Sequence, residues 1–196
     1  IMTQNISRRD LLKKSILGVG AGAAAVASSS PVMAMGAQPP QQMISRILQP
    51  RIVSFRNLHT GEVFTGPFKL GTEYIPEAFE KLSYVLRDHR TGATHSMDPK
   101  LLEIMHMIDM KAQQDSGFVV LSGYRSPKTN AMFRRNTDGV AENSFHMKGQ
   151  AIDLRIPGYR TENIKEIARG LGLGGVGFYR GSDFVHVDTG PVRFWS

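Results

Sequence analysis

"SFHMKGQAIDLRI", residues 144–156, decides how the rest of the chain is read. Its second half alternates, placing Ile152, Leu154 and Ile156 on one side of a strand and Ala151, Asp153 and Arg155 on the other. The apolar side belongs to a core, and the polar side presents a carboxylate. Just ahead stands Gly149, where a residue without Cβ allows a backbone conformation or a close approach that a larger side chain hinders. His146 precedes Asp153 by seven positions, on the loop that feeds the strand. One stretch thus supplies both a core strand and two candidate ligands.

The same alternation governs "DFVHVD", residues 183–188: Phe184, His186 and Asp188 share a face, while Val185 and Val187 turn inward. If this strand lies beside residues 151–156, His186 and Asp153 meet on one sheet face. Adding His146 gives two imidazoles and one carboxylate, a donor set suited to zinc, whose catalytic sites take three protein ligands and keep a further position for water. The same set suits non-haem iron. The chain has no cysteine, so disulfides and thiolate sites are excluded and any metal must be held by His, Asp or Glu. Taken singly, a loop histidine or a strand aspartate is more often an ordinary polar residue than a ligand. His59, His89, His95 and His106 have no acidic partner at a telling spacing and are read as structural.

Outward from this pair, the chain reads as short strands alternating with helices. "RIVSFRNLHTGEVFTGPF" (51–68) has two alternating runs around the turn "HTGE", a hairpin pattern. "IPEAFEKLSYVLRDHR" (75–90) spaces Ile75, Phe79, Leu82 and Val85 helically behind Pro76. "DPKLLEIMHMIDMKAQQ" (98–114) does so from an Asp98 cap, with Pro99 at the first helical position and Leu102, Met105 and Ile108 on one face. "FVVLSGYRS" (118–126) is a short buried strand and "SPKTNAMFRRN" (126–136) a cap and helix. "TENIKEIARGLGL" (161–173) is a helix ending at glycine, and "GGVGFYRGSDFVHVDTG" (174–190) a terminal strand pair. The expected class is α+β, a small mixed or antiparallel sheet with helices packed on one side. With 196 residues, 41% of them hydrophobic, the chain has material for one domain with one core.

The front differs in character. "SRRDLLKKSILGVGAGAAAVASSSPVMAMGAQ" (7–38) opens on paired arginines, passes through a weakly apolar Gly/Ala run and ends in small residues, as an export signal does. Arg8 and Arg9, followed by Asp10, Leu11, Leu12 and Lys13, resemble the twin-arginine consensus, with Leu11 where phenylalanine is usual. The apolar part, Ile16 to Ala27, is shorter than the ~20 residues of a membrane span. Residues 1–36 are therefore expected to be a signal for the twin-arginine export machinery, with a retained anchor as the alternative; residues 37–49 are expected to be a Pro/Gln-rich linker, and 50–196 the functional domain. Such a leader delivers the protein to the periplasm or cell envelope. Four of the 24 basic residues and one of the 17 acidic ones lie in that leader, leaving +4 of the formal +7. The remaining Lys and Arg are scattered, with no basic helix or aromatic stacking platform, so a nucleic-acid partner is not expected, whereas an anionic cell-wall polymer is compatible.

Together these residues resemble a family. The string S-x-H-x-x-G-x-A-x-D, here Ser144, His146, Gly149, Ala151 and Asp153, followed about thirty residues later by "FVHVDTG", is similar to the zinc D-alanyl-D-alanine peptidases, which share a fold with lysostaphin and hedgehog domains. "SGYRS" (122–126), "GGVGFY" (174–179) and "HVDTGPVRFW" (186–195) resemble the murein endopeptidase K branch of that clan, and the resemblance spans roughly residues 50–196. It implies that His146, Asp153 and His186 bind one Zn2+. It also implies that Arg125 faces the active site, binding a substrate carboxylate or polarising the scissile carbonyl; the alternative is an arginine that ties a loop down. Some members use an acid three residues before the last ligand, the place of Asp183. Asp188 is the rival base, or else a partner that orients a ligating imidazole. Many relatives place a histidine two residues before the last ligand, where this chain has Phe184. The implied activity is hydrolysis of peptidoglycan cross-links, with carboxypeptidase trimming of stem peptides, or a non-catalytic zinc module of the hedgehog kind, as alternatives.

Overall fold

The computed structural model describes residues 49–137 and 139–196. The expected signal, and the expected linker up to residue 48, lie outside the described residues. Eight strands form one mixed sheet in the order β3-β2-β1-β4-β5-β7-β6-β8. They are β1 (Pro50–Asn57), β2 (Val63–Leu70), β3 (Glu73–Tyr74), β4 (Phe118–Ser122), β5 (Ala151–Arg155), β6 (Gly175–Tyr179), β7 (Phe184–Asp188) and β8 (Arg193–Trp195). The pairs β1/β4 and β6/β8 are parallel and the others antiparallel.

The helices are α1 (Pro76–Val85), α2 (Pro99–Ala112), α3 (Pro127–Asn136) and α4 (Thr161–Leu171). Ala78 and Leu82 of α1, Leu101 and Met105 of α2, and Ile164 and Ala168 of α4 join Ile152, Leu154, Val185 and Val187 in one apolar cluster. These three helices therefore cover one face of the sheet. Burying each large side chain there removes apolar area worth about 1.5–3 kcal/mol. The α+β class and the packing on one side match the expectation from sequence.

Local signals placed most elements. The Asp98 side chain accepts from the Lys100 N–H at 2.8 Å, and Ser126 caps α3 by accepting from the Thr129 N–H. Gly172 ends α4 in the left-handed conformation. The helix expected from the spacing of Ile75, Phe79, Leu82 and Val85 is α1, which ends at Val85; beyond it Asp88 accepts from the Arg90 N–H at 2.9 Å in a turn. One expectation is corrected. The terminal strand pair is joined by a third strand, β8, three residues long and without readable alternation. The polar face of β5 is itself enclosed: Ala151 is fully buried and Asp153 only 8% exposed.

Candidate metal centre

The β5/β7 ladder sets Asp153 directly opposite His186. Because Leu154 and Val185 pin the opposite faces of these strands into the core, both polar side chains are forced onto the side away from the helices. His146 arrives from a single 3-10 turn, Phe145–Lys148, which opens with the Ser144 side chain accepting from the His146 N–H and closes at Gly149. Gly149 has φ +65, and a Cβ there would collide with the Ser96 carbonyl, so both freedoms expected of this glycine are used.

The hydrogen bonds assign the ring nitrogens. His146 Nδ1 lies 2.8 Å from the Gly123 carbonyl, which can only accept, so Nδ1 carries the hydrogen and Nε2 keeps its lone pair. His186 Nε2 donates to Asp188 Oδ2 at 2.9 Å, which leaves Nδ1 to face the cluster. His146 Nε2, His186 Nδ1 and Asp153 Oδ1 then converge at 3.2, 2.8 and 3.3 Å from one another. Three acceptors so close need a proton or a metal ion among them.

The electrostatics say the same. Burial alone would push the Asp153 carboxyl up, but the His146 and His186 imidazoles outweigh it and hold it far below the usual carboxylate range. Burial likewise disfavours a charged His186, yet hydrogen bonds to Asp153 and Asp188 push it up to about 9. The cluster is built to hold positive charge, and its two imidazoles and one carboxylate, buried and converging, fit a metal ion.

Arg125 stands beside this group on the loop after β4. Its N–H donates to the His146 carbonyl at 3.2 Å, so the arginine loop and the histidine turn are tied together. Its Nη2 lies 3.8 Å from Asp153 Oδ2, and its Nη1 donates to Asn130 Oδ1 at 3.4 Å. The Nε is buried and has no partner. Burial pulls the guanidinium down from its ordinary value while Asp153 opposes that shift. The unmet Nε is closed off from solvent, so a ligand oxygen would meet the guanidinium at the Nη2 edge beside Asp153.

The two remaining candidates part company. Asp188 is fully buried; besides His186, its oxygens accept from the Gly175 and Gly190 N–H groups and from both Nη atoms of Arg193. Asp183 lies just before β7 at φ +50, with its side chain 64% exposed. It accepts from the Thr161 hydroxyl at 2.7 Å and stands 3.9 Å from Arg155, which shares the Asp153 face of β5. His146, Asp153, His186, Asp188 and Arg125 thus form one connected cluster, whereas Asp183 touches Thr161 and Arg155 and none of its members.

Two contributors were not read from the sequence. Asp88 fixes the arginine loop by accepting from the Ser126 N–H and hydroxyl at 2.9 and 2.6 Å, and Arg193 neutralises Asp188. Neither has a local spacing signal, because each acts on a partner distant in sequence or on a strand too short to recognise. None of the other four histidines joins the converging donors: His59 stacks on His89, His106 donates to the Ile52 carbonyl, and His95 stacks on Tyr124 with its Nδ1 against Gly149, which closes the His146 turn.

A family profile described as peptidoglycan L,D-endopeptidase MepK matches residues 45–195. The probable peptidoglycan L,D-endopeptidase MepK of Haemophilus influenzae is 47% identical over 148 residues, covering 75% of this chain and 80% of that protein. The peptidoglycan L,D-endopeptidase MepK of Escherichia coli K12 is 42% identical over 147 residues, covering 75% of this chain and 81% of that protein. The protein of the same name in Shigella flexneri matches to the same extent. With the profile spanning most of the chain, the protein belongs to the peptidoglycan L,D-endopeptidase MepK family.

Proposed function

We propose that the protein is a zinc-dependent endopeptidase that hydrolyses an L,D peptide bond in the cross-links of peptidoglycan. The observation that carries this reading is the convergence of His146 Nε2, His186 Nδ1 and Asp153 Oδ1 beside the Nη2 edge of Arg125. The names of the relatives supply the substrate class and the stereochemistry of the bond. A cross-link between two meso-diaminopimelate residues joins an L-centre carbonyl to a D-centre amine, and so offers such a bond.

His146, Asp153 and His186 would hold one Zn2+, which when bound supplies Lewis acidity, polarising a carbonyl and lowering the pKa of water toward ~7. Arg125 would take up negative charge on the scissile carbonyl oxygen or hold a substrate carboxylate, roles that suit a fixed cation with forked donors. Asp183 is assigned the proton shuttle, accepting a proton from the attacking water and passing it to the leaving amine. It is exposed and free to turn from Thr161, whereas every oxygen of the buried Asp188 is already engaged. Asp188 instead orients His186.

Action on peptidoglycan places the protein outside the cytoplasm. The paired arginines Arg8 and Arg9 support delivery by the twin-arginine machinery, and no helix among the described residues is long and apolar enough to cross a membrane. The reading is tested by incubating the protein with purified muropeptide dimers, cross-linked either L,D or D,D, and resolving products by mass spectrometry with and without chelator. Chelator-sensitive conversion of the L,D dimer to monomers is expected. Release of a single terminal amino acid would make it a carboxypeptidase, and no turnover would make it a binding module; either overturns the proposal.

A further inference from the structure

Two glycines in β6 make room for side chains from β8. Gly177 pairs with His186 on one side and with Trp195 on the other. Gly175 pairs with Arg193, and its N–H donates to Asp188 Oδ1 at 3.2 Å. A Cβ on Gly175 would collide with the Arg193 guanidinium, and one on Gly177 would stand 2.5 Å from the Trp195 ring. Side chains of β8 therefore lie across an empty stretch of β6 and reach β7.

What they reach is the support of one ligand. The Arg193 fork grips Asp188 with Nη1 3.0 Å from Oδ1 and Nη2 2.6 Å from Oδ2. Asp188, fully buried, accepts the Nε2–H of His186. Trp195 lies tilted beside the His186 ring with centroids 5.3 Å apart, and its Nε1–H donates to the Tyr179 hydroxyl at 3.0 Å. A buried carboxylate without a cationic partner turns toward any other donor, and that change releases the imidazole it orients. The indole closes the side toward which that ring could tip.

We propose that β8 completes the metal centre: Arg193 and Trp195 are positioning residues that act through Asp188 and His186, across the glycine gap in β6, to hold the His186 imidazole in its ligating orientation. This rests on the reading of His146, Asp153 and His186 as metal ligands. It adds a chain segment to the site that makes no contact with the ion itself.

The test measures Zn2+ affinity by competition with a chromogenic chelator for the wild type, Arg193→Met, Arg193→Lys, Trp195→Leu and His146→Ala. Melting of each metal-free protein, and kcat and KM on muropeptide dimers, are measured alongside. One Zn2+ per wild-type chain and none in His146→Ala are expected. Arg193→Met and Trp195→Leu should bind about 10–100-fold more weakly, as is usual when an orienting partner is lost. Their kcat should fall with KM unchanged; metal-free melting should fall in Arg193→Met, which strips the buried Asp188 of its cation, but not in Trp195→Leu, and Arg193→Lys should recover part of the affinity. Wild-type affinity in Arg193→Met, with the ligands intact by the His146→Ala control, overturns this inference alone. No zinc in the wild type overturns the ligand reading with it. Should Arg193→Met not fold, Trp195→Leu, at a partly exposed residue, decides by the same criterion.

Discussion

Asp153 and His186 are direct cross-strand partners, and their Oδ1 and Nδ1 atoms stand 2.8 Å apart. A hydrogen-bonded strand pair with both outer faces buried has no freedom to slip, so two of the three candidate donors are fixed by the ladder itself. The third donor, His146, comes from a turn and is fixed by its Nδ1–H bond to Gly123 and by Gly149.

His146→Ala removes one of three donors without touching the β5/β7 ladder. Zinc content is expected to fall to background, and kcat/KM on muropeptide dimers by more than about 100-fold, while circular dichroism stays that of the wild type. Retained one-to-one zinc would strike His146 from the ligand set.

Asp183→Asn and Asp188→Asn separate the shuttle from the orienter. Loss of the proton carrier should lower kcat by about 10²–10⁴ with zinc affinity unchanged. Loss of the orienter should weaken zinc by about 10–100-fold. Unchanged turnover in Asp183→Asn contradicts the assignment.

Asp88 ties the arginine loop to the segment after α1. Burial would push its carboxyl up, but hydrogen bonds from Ser126 and Thr129, and the N–H groups of Ser126 and Arg90, hold it well below the usual range. A carboxyl lowered on folding stabilises above its unfolded pKa and loses that contribution as pH falls. Asp88→Asn is therefore expected to cost about 2 kcal/mol at pH 7, with the gap from wild type closing below about pH 4. Urea melts across that range check it; a gap independent of pH contradicts the assignment.

Gly149→Ala would strain a left-handed residue and press a methyl group into the Ser96 carbonyl. A loss of at least about 2 kcal/mol is expected, together with weaker zinc binding because His146 is on the same turn. A thermal melt within error of the wild type contradicts the structural role of this glycine.

Much of this was legible in the sequence because strand alternation is a short-range signal. The placement of Ile152 and Leu154 inside, with Asp153 opposite, followed from two-residue periodicity, as did Val185 and Val187 around His186. Caps at Asp98 and Ser126 were readable for the same local reason. The parallel pairing of Arg193–Trp195 with β6 was not, since three residues carry no period and their partners lie elsewhere in the sheet. Nor could spacing choose between Asp183 and Asp188, because the choice turns on which carboxylate is buried and already bonded. The end of α1 at Val85 was legible as the last of the helically spaced apolar positions.

The most direct test of the central claim is X-ray absorption at the zinc edge on the purified, zinc-loaded protein. One zinc per chain is predicted, with two imidazole nitrogens at about 2.0–2.1 Å and carboxylate and water oxygens at about 2.0–2.2 Å, and with zinc at background in His186→Ala. A first shell without histidine nitrogens, or one unchanged in His186→Ala, would contradict it.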